Sequence, residues 1–335
     1  MNRKIALGLI FLCTAGSNSF AQTAGAPTAA IVAATNKFLD TLDKAQRGKV
    51  VFDFKDDAQR KHWSNLPTTI FKRQGLHMGD LTQPQRDAVL AVLAAALSPQ
   101  GYEKILHIVE GDEVLKKSSG QTIFGRDEYY VSFLGQPSTT EPWMIQFGGH
   151  HLGLNITLAG EERTLAPSHT GAQPAIYELE GKTVRPLGRE TDKAFALLSS
   201  LNQAQRKEAI LGFQMRDLVL GPGRDGQTIQ PEGIKGSDLT EKQRQMLLDL
   251  ASEWTGIMHE AVAKAKMDEM RKNIAETYFA WSGPTEQGSA AYFRIQGPTV
   301  IIEYAPQSLG GDPTKHIHTI YRDPTNDYGV KWWKR

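Results

Sequence analysis

The hydrophobic pattern of this chain changes from a helical period to a strand period twice, and this alternation limits the folds available to it. Apolar residues recur at helical spacing over residues 83–109 and 240–276. Each stretch is followed by alternation with a period of two, at 129–158 and 277–322. Helices grouped before antiparallel strands are typical of an α+β fold. We therefore predict helical pairs packed on antiparallel β-meanders.

The two helix-and-meander units resemble each other in sequence. The helical parts open with Leu81-Thr82-Gln83-Pro84-Gln85-Arg86 and Leu239-Thr240-Glu241-Lys242-Gln243-Arg244. An offset of 148 residues superposes Tyr130 on Tyr278, Gly135 on Gly283, Gly149 on Gly297 and Asn155 on Glu303. One interpretation is an internal duplication within a single domain, 22–335, with similar halves 22–188 and 189–335 around a central cleft. The alternative is a chance likeness between two helix-hairpin units.

The N-terminus has the pattern of an export signal. Arg3 and Lys4 precede an apolar run over 5–12, and Ser19-Phe20-Ala21 has the small-x-small form of a cleavage site. The run is far shorter than the ~20 residues of a membrane-spanning helix. We therefore expect a signal peptide over 1–21, cleavage near Ala21, a periplasmic or secreted protein, and no stable membrane anchor.

Charge and cysteine content exclude several classes of function. The formal net charge is +1, and it becomes −1 when Arg3 and Lys4 are removed with the signal. This balance gives no electrostatic basis for binding nucleic acid, so we expect no nucleic-acid partner. Cys13 is the only cysteine and leaves with the signal. Any metal site must then use histidine or carboxylate ligands.

Four of the nine histidines lie in two pairs. His150 and His151 follow two glycines at the start of an alternating strand, and His316 and His318 form a His-x-His in the last strand. Alternate residues of a strand face the same side, about 7 Å apart, which suits ligands of one metal. We predict that the two pairs share a site for a divalent transition metal: zinc, iron, copper or manganese.

Strand parity separates His150 from His151. The core face of that strand carries Leu152, Leu154, Ile156 and Leu158. His150 has the parity of this face, whereas His151 shares the other face with Asn155. Either the two glycines distort the strand and turn both imidazoles inward, or only one is a ligand. If only one is, parity favours His151, with His318 as its partner.

Five further residues are candidates for chemistry at this site. Glu303 is an acid within an apolar strand and could be a ligand or general base, or a solvated residue. Asp323 could orient an imidazole or act as a base, although Asp323-Pro324 also suits a tight turn. Asn155 and Arg322 could position a substrate. His169 lies in a predicted loop that could close over the site.

The histidine motifs also resemble a known family. The relevant segments are Gly149-His150-His151-Leu152-Gly153-Leu154-Asn155, Gly171-Ala172-Gln173-Pro174-Ala175, and the run from His316-Ile317-His318 to Asp327-Tyr328-Gly329. They are similar to the family of secreted bacterial and fungal proteins catalogued as domain of unknown function 3500. The resemblance implies one unit over roughly 30–332 in which the two histidine segments meet. It implies no reaction, and Ser168-His169-Thr170 departs from the bulkier apolar residues expected there.

These features support three hypotheses about function. The first is a periplasmic metal-dependent enzyme, a hydrolase or an oxidase, acting on an unidentified small molecule. The second is a non-catalytic periplasmic protein that binds a metal or small ligand. The third is a structural protein whose histidine pairs only stabilise the core.

Overall fold

The computed structural model describes residues 28–309 and 311–333, and the predicted signal peptide lies outside them. Its fold is α+β, as predicted. The elements of the first half are α1 (Thr28–Leu39), α2 (Lys44–Val50), β1 (Val51–Phe52), α3 (Asp57–Arg60), β2 (Leu76–His77), α4 (Gln83–Ala96), α5 (Pro99–Ser119), β3 (Tyr130–Leu134), β4 (Trp143–Gly149), β5 (Leu152–Ala159), β6 (Glu162–Thr164), β7 (Ser168–Ala172), β8 (Tyr177–Leu179) and β9 (Lys182–Val184).

The second half repeats much of this order. Its elements are α6 (Gly188–Ser200), α7 (Gln203–Ala209), β10 (Ile234–Lys235), α8 (Glu241–Thr255), α9 (Glu260–Lys272), β11 (Tyr278–Ser282), β12 (Tyr292–Gly297), β13 (Val300–Pro306), β14 (Ile317–Arg322) and α10 (Val330–Trp333). Over 28–309 and 311–333, no helix is both long and apolar enough to cross a bilayer.

One twelve-stranded sheet joins both halves. Its order is β1-β3-β4-β5-β7-β14-β13-β12-β11-β10, with β2 also on β3 and β6 on β5. The β1–β3 pair is parallel and the others are antiparallel. Strands β7 and β14 pair directly at the centre, with Thr170 opposite Thr319. The two halves are therefore joined in one continuous sheet.

Strand registers repeat between the halves at the offset seen in the sequence. Tyr130 pairs with Gly148, and Tyr278 pairs with Gln296. The hairpins close in the same way, with Gly149 opposite Leu152 and Gly297 opposite Val300. The division into halves 22–188 and 189–335 stays a prediction, and this repeated register supports it.

The repeated helix starts have a shared physical cause. The side chains of Gln85 and Gln243 accept the cap N–H of Thr82 and Thr240 at 3.0 and 2.9 Å, which fixes the first turns of α4 and α8. The Nε2 group of Gln85 donates to the carbonyl of Thr41, and that of Gln243 donates to the carbonyl of Ser200. The same glutamine thus starts a helix and ties it to the preceding segment in each half.

The helices cover one face of the sheet. Leu152, Leu154, Ile156 and Leu158 pack in one core cluster with residues of α1, α4 and α5, as parity predicted. Val300, Ile302 and Tyr304 belong to a second cluster with α6 and α8. The opposite face is also covered, because Asn155 and Thr157 are fully buried and Trp63 packs over Gly153. Thus the face of β5 that carries Asn155 is enclosed by other segments of the chain.

Strand β7 was not predicted, because His169, which lies in it, was expected in a loop. Its sequence, Ser168-His169-Thr170-Gly171-Ala172, has no apolar alternation. It forms a strand because β5 and β14 offer hydrogen-bonding edges on its two sides. Burial between two strands outweighs the weak intrinsic preference of these residues.

Candidate metal centre

The β4–β5 hairpin turn places His150 and His151. Gly149 pairs with Leu152, so the two histidines form a two-residue turn, and the strand that we predicted from His151 begins at Leu152. His151 has a left-handed backbone with φ 62°, which is unfavourable for a residue with a Cβ. Regular strand parity does not apply in a turn. Both imidazoles point inward, as in the first of the two alternatives drawn from the sequence, and His151 is 0% exposed.

Asp112 of α5 holds both imidazoles. Its Oδ1 lies 3.0 Å from Nδ1 of His150 and 3.0 Å from Nδ1 of His151. Its Oδ2 accepts the hydroxyl of Tyr129 at 2.8 Å. Burial raises the pKa of the Asp112 carboxyl, and the neighbouring His150 and Tyr129 oppose that rise. The carboxylate therefore fixes the direction in which the other face of each ring points.

The sequence analysis did not identify Asp112, although a signal was present. Ile105, Ile108 and Asp112 occupy one buried face of α5. An acid on an apolar helical stripe requires a buried partner. That pattern could have predicted its contact with the histidines.

The Nε2 atoms of three histidines converge beyond the carboxylate. Nε2 of His151 lies 2.9 Å from Nε2 of His316, which in turn lies 3.0 Å from Nε2 of His318. His318 is in β14, and His316 immediately precedes that strand. The structure thus brings the two predicted histidine pairs together, with His316 between the two residues that parity had favoured as partners.

The hydrogen bonds on the far side of each ring determine the tautomers. Nδ1 of His151 faces the Asp112 carboxylate, and Nδ1 of His316 lies 2.6 Å from the carbonyl oxygen of Leu309. The Leu309 carbonyl can only accept, so Nδ1 of His316 carries hydrogen and its Nε2 is a lone pair in the neutral ring; with Asp112 as a carboxylate, the same holds for His151. Burial lowers the pKa of His316, and it lowers the pKa of His151 well below its ordinary value. Two lone pairs therefore face each other at 2.9 Å.

This arrangement could hold a metal ion. A cation between two imidazole lone pairs replaces their repulsion with coordination. Tetrahedral coordination at about 2.05 Å from each nitrogen requires nitrogens about 3.3 Å apart, so the rings need to separate by only a few tenths of an ångström. Two sets of three residues could each supply ligands to one ion, because the ligand atoms within each set lie within 4.8 Å of one another. The first set is His151, His316 and His318, and the second is Asp112, His150 and His151. If the first set holds the ion, Asp112 is not a ligand. Its hydrogen bond with His151 is then the carboxylate–imidazole contact that commonly orients metal-binding histidines.

Two further polar residues border the three imidazoles. Asn65, from the segment that covers the polar face of the sheet, has Nδ2 3.3 Å from Nδ1 of His318. His169 of β7 is fully buried, with its ring centroid 5.1 Å from that of His318. Burial, together with the nearby His150 and His316, lowers the pKa of His169 to about 3. The structure places His169 in a central strand beside the cluster, instead of in the predicted loop.

Glu303 lies outside the histidine cluster. Its Oε1 accepts the backbone N–H of Val219 at 2.9 Å and the hydroxyl of Tyr292 at 2.7 Å. Its Oε2 accepts the N–H of Leu220 at 2.8 Å. These bonds fix the covering segment around 219–220 to β13. The carboxylate is used as an anchor for this segment, and it is not brought to the imidazoles as the sequence had suggested.

The other three predicted residues also make contacts that hold the fold. The Arg322 guanidinium donates to the carbonyls of Leu220 and Gly221 and to the carboxylates of Asp225 and Asp327. Asp323 accepts from Lys266 at 2.7 Å and from Thr325. Asn155 bridges Gln146 and the carbonyl of Pro167. In the described part of the chain, these three side chains make no hydrogen bond or ion pair with the four paired histidines.

Comparison with known proteins gives a family and no activity. No curated protein and no solved structure matches the chain. A family model matches residues 24–330, which include both histidine segments and Asp112. Because this match covers nearly the whole chain, the protein belongs to the family described as Protein of unknown function (DUF3500).

Proposed function

We propose that this protein binds one divalent transition metal ion through Nε2 of His151, His316 and His318, and that it uses the ion in hydrolysis of a small molecule. The observation that supports this most strongly is the convergence of three buried imidazole Nε2 atoms, with those of His151 and His316 2.9 Å apart and those of His316 and His318 3.0 Å apart. Imidazole nitrogens that converge in this way are common ligands of a divalent transition metal.

The donor set favours zinc-type chemistry. Three neutral imidazoles with a fourth position left for another ligand are typical of catalytic zinc, although imidazole also suits copper and iron. A metal bound in this way supplies a Lewis acid that lowers the pKa of a water ligand. In this role Asp112 holds His151 in the required tautomer and His150 beside it, while the Leu309 carbonyl orients His316. Oxidation with copper or iron is the alternative reaction class.

Non-catalytic metal binding is a second candidate. It is favoured by the burial of the three imidazoles, each at most 8% exposed, which limits access for a substrate. An activity screen of the metal-loaded protein against small esters, amides and phosphoesters separates the two. Turnover that disappears in a His318→Ala variant supports the enzyme, whereas tight metal binding without turnover supports the binder.

The metal site itself is tested with protein that carries no histidine tag. We expect about one equivalent of zinc, copper, iron or manganese by elemental analysis, or uptake of one equivalent of added Zn²⁺. His151→Asn keeps a residue that tolerates the left-handed turn and removes the ligand, so this variant should fold and lose at least 100-fold in metal affinity. His107→Asn, outside both groups of ligand atoms, is the control. No metal uptake by the wild-type protein, or unchanged affinity in His151→Asn, contradicts the site.

A further inference from the structure

His169 is the buried imidazole whose role the proposed metal site leaves unassigned. It is 0% exposed, and neither Nδ1 nor Nε2 has a hydrogen-bond partner among the described residues. An imidazole without partners is rarely buried so completely, because both nitrogens lose their bonds to water. Its sheet neighbours, Gly153 and Ile320, offer no side-chain polar atom.

His169 lies beside the histidines whose Nε2 atoms converge. Its ring makes an edge contact with His318, with centroids 5.1 Å apart. Gly171 lies between His169 and His151: a Cβ added there would lie 3.2 Å from Nε2 of His169 and 3.0 Å from Cδ2 of His151. The absence of a side chain at Gly171 leaves these two rings next to each other on one face of the sheet.

His169 nevertheless stands outside the set of direct ligands. The atoms of His151, His316 and His318 lie within 4.8 Å of one another, and the described groups of that kind do not include His169. Tetrahedral ligands of one ion must lie about 3.3 Å apart. An imidazole beside such a set, but farther away, can reach a molecule bound to the ion.

We propose that His169 forms a hydrogen bond to the exogenous ligand in the fourth position of the metal, a water or a small anion. This inference rests on the proposed metal site. A neutral imidazole suits the task because it offers one N–H donor and one lone pair, and it can therefore serve either ligand. The bond would satisfy one buried nitrogen of His169 and would select ligands that present a hydrogen-bonding atom next to the ion.

The test uses the full mature protein loaded with Co²⁺, and azide as the probe. The visible absorption of bound Co²⁺ reports its coordination, and its change on azide addition gives the azide dissociation constant. His169→Phe removes both nitrogens with little change in ring volume, whereas His169→Gln keeps a donor and an acceptor. We expect His169→Phe to weaken azide binding by about 10-fold or more. Co²⁺ affinity should stay within about 3-fold, and His169→Gln should recover most of the azide affinity.

Two other outcomes would overturn the proposal. If His169→Phe lowers Co²⁺ affinity by about 100-fold and alters the spectrum before azide is added, His169 is a direct ligand. If Co²⁺ and azide affinities are both unchanged, His169 is only a packing residue. Failure of the wild-type protein to bind Co²⁺ refutes the metal site instead, so the two proposals fail in different measurements.

Discussion

At the level of single residues, Asp112 determines what the histidine turn can do. One carboxylate oxygen accepts from the Nδ1 atoms of both His150 and His151, at 3.0 Å each. The turn alone would leave the two rings free to rotate about their side-chain torsions. The carboxylate selects the tautomer in which Nε2 of His151 is a lone pair directed toward His316.

Replacing Asp112 with Asn tests this role. The neutral amide is a weaker acceptor and can misorient the rings, so we expect zinc affinity to fall by about 10- to 100-fold. Isothermal titration in the presence of a competing chelator measures the change. Glu113→Gln, an acid-to-amide change at the next residue of α5, should leave the affinity unaltered. An equal loss in the two variants would mean that general electrostatics, and not this contact, affects binding.

The sequence predicted the histidines of the site better than their surroundings. The two pairs were found because His150-His151 and His316-x-His318 are local patterns. Asp112 is 38 residues from His150, and its contact depends on how α5 packs on the sheet. Glu303 seemed a candidate because an acid in an apolar strand needs a partner. Its partners are the backbone N–H groups of Val219 and Leu220. No local pattern in the sequence predicts this contact.

At the level of elements, the two similar hairpins differ in the residues of their turns. The β4–β5 and β12–β13 hairpins close with the same register, but the turn of the second is Pro298-Thr299, where the first has His150-His151. Each half thus has a tight turn at this place, and only the first turn carries histidines. The other two histidines lie in β14 (His318) and just before it (His316), and β14 meets the first half through β7.

The junction between β7 and β14 can be tested by two matched substitutions. The Thr170 and Thr319 hydroxyls are 2.7 Å apart, and Thr319 also accepts from Nε1 of Trp254 at 2.9 Å. Thr319→Val leaves the buried Trp254 N–H unpaired and should cost about 1–3 kcal/mol of unfolding free energy. Thr170→Val keeps the Trp254 bond and should cost less. Denaturant unfolding measures both, and a larger loss in Thr170→Val would show that this bond contributes little.

At the level of the whole molecule, the sequence predicted the class of fold but not the order of the sheet. The changes in hydrophobic period predicted the helices and meanders. The offset of 148 residues predicted the similarity of the two halves. Both signals are carried by short stretches of sequence. Thr170 and Thr319, which join the halves, are 149 residues apart. Their pairing depends on which strand edges remain free after each meander forms. The strand β7 that makes the junction has no apolar alternation, so its place at the centre of the sheet could not be predicted from the sequence.

The proposed metal ligands come from both halves of the molecule, so if the ion is bound, its removal should weaken the whole fold. His151 belongs to the first half, and His316 and His318 belong to the second. An ion that binds only the folded protein stabilises it by about 2.7 kcal/mol at 100 times its dissociation constant. We expect calorimetry to show a melting temperature several degrees lower after chelation, with recovery on adding Zn²⁺. His316→Ala should show no such shift, whereas His107→Ala should keep it. An equal shift in His316→Ala would place the stabilising ion elsewhere.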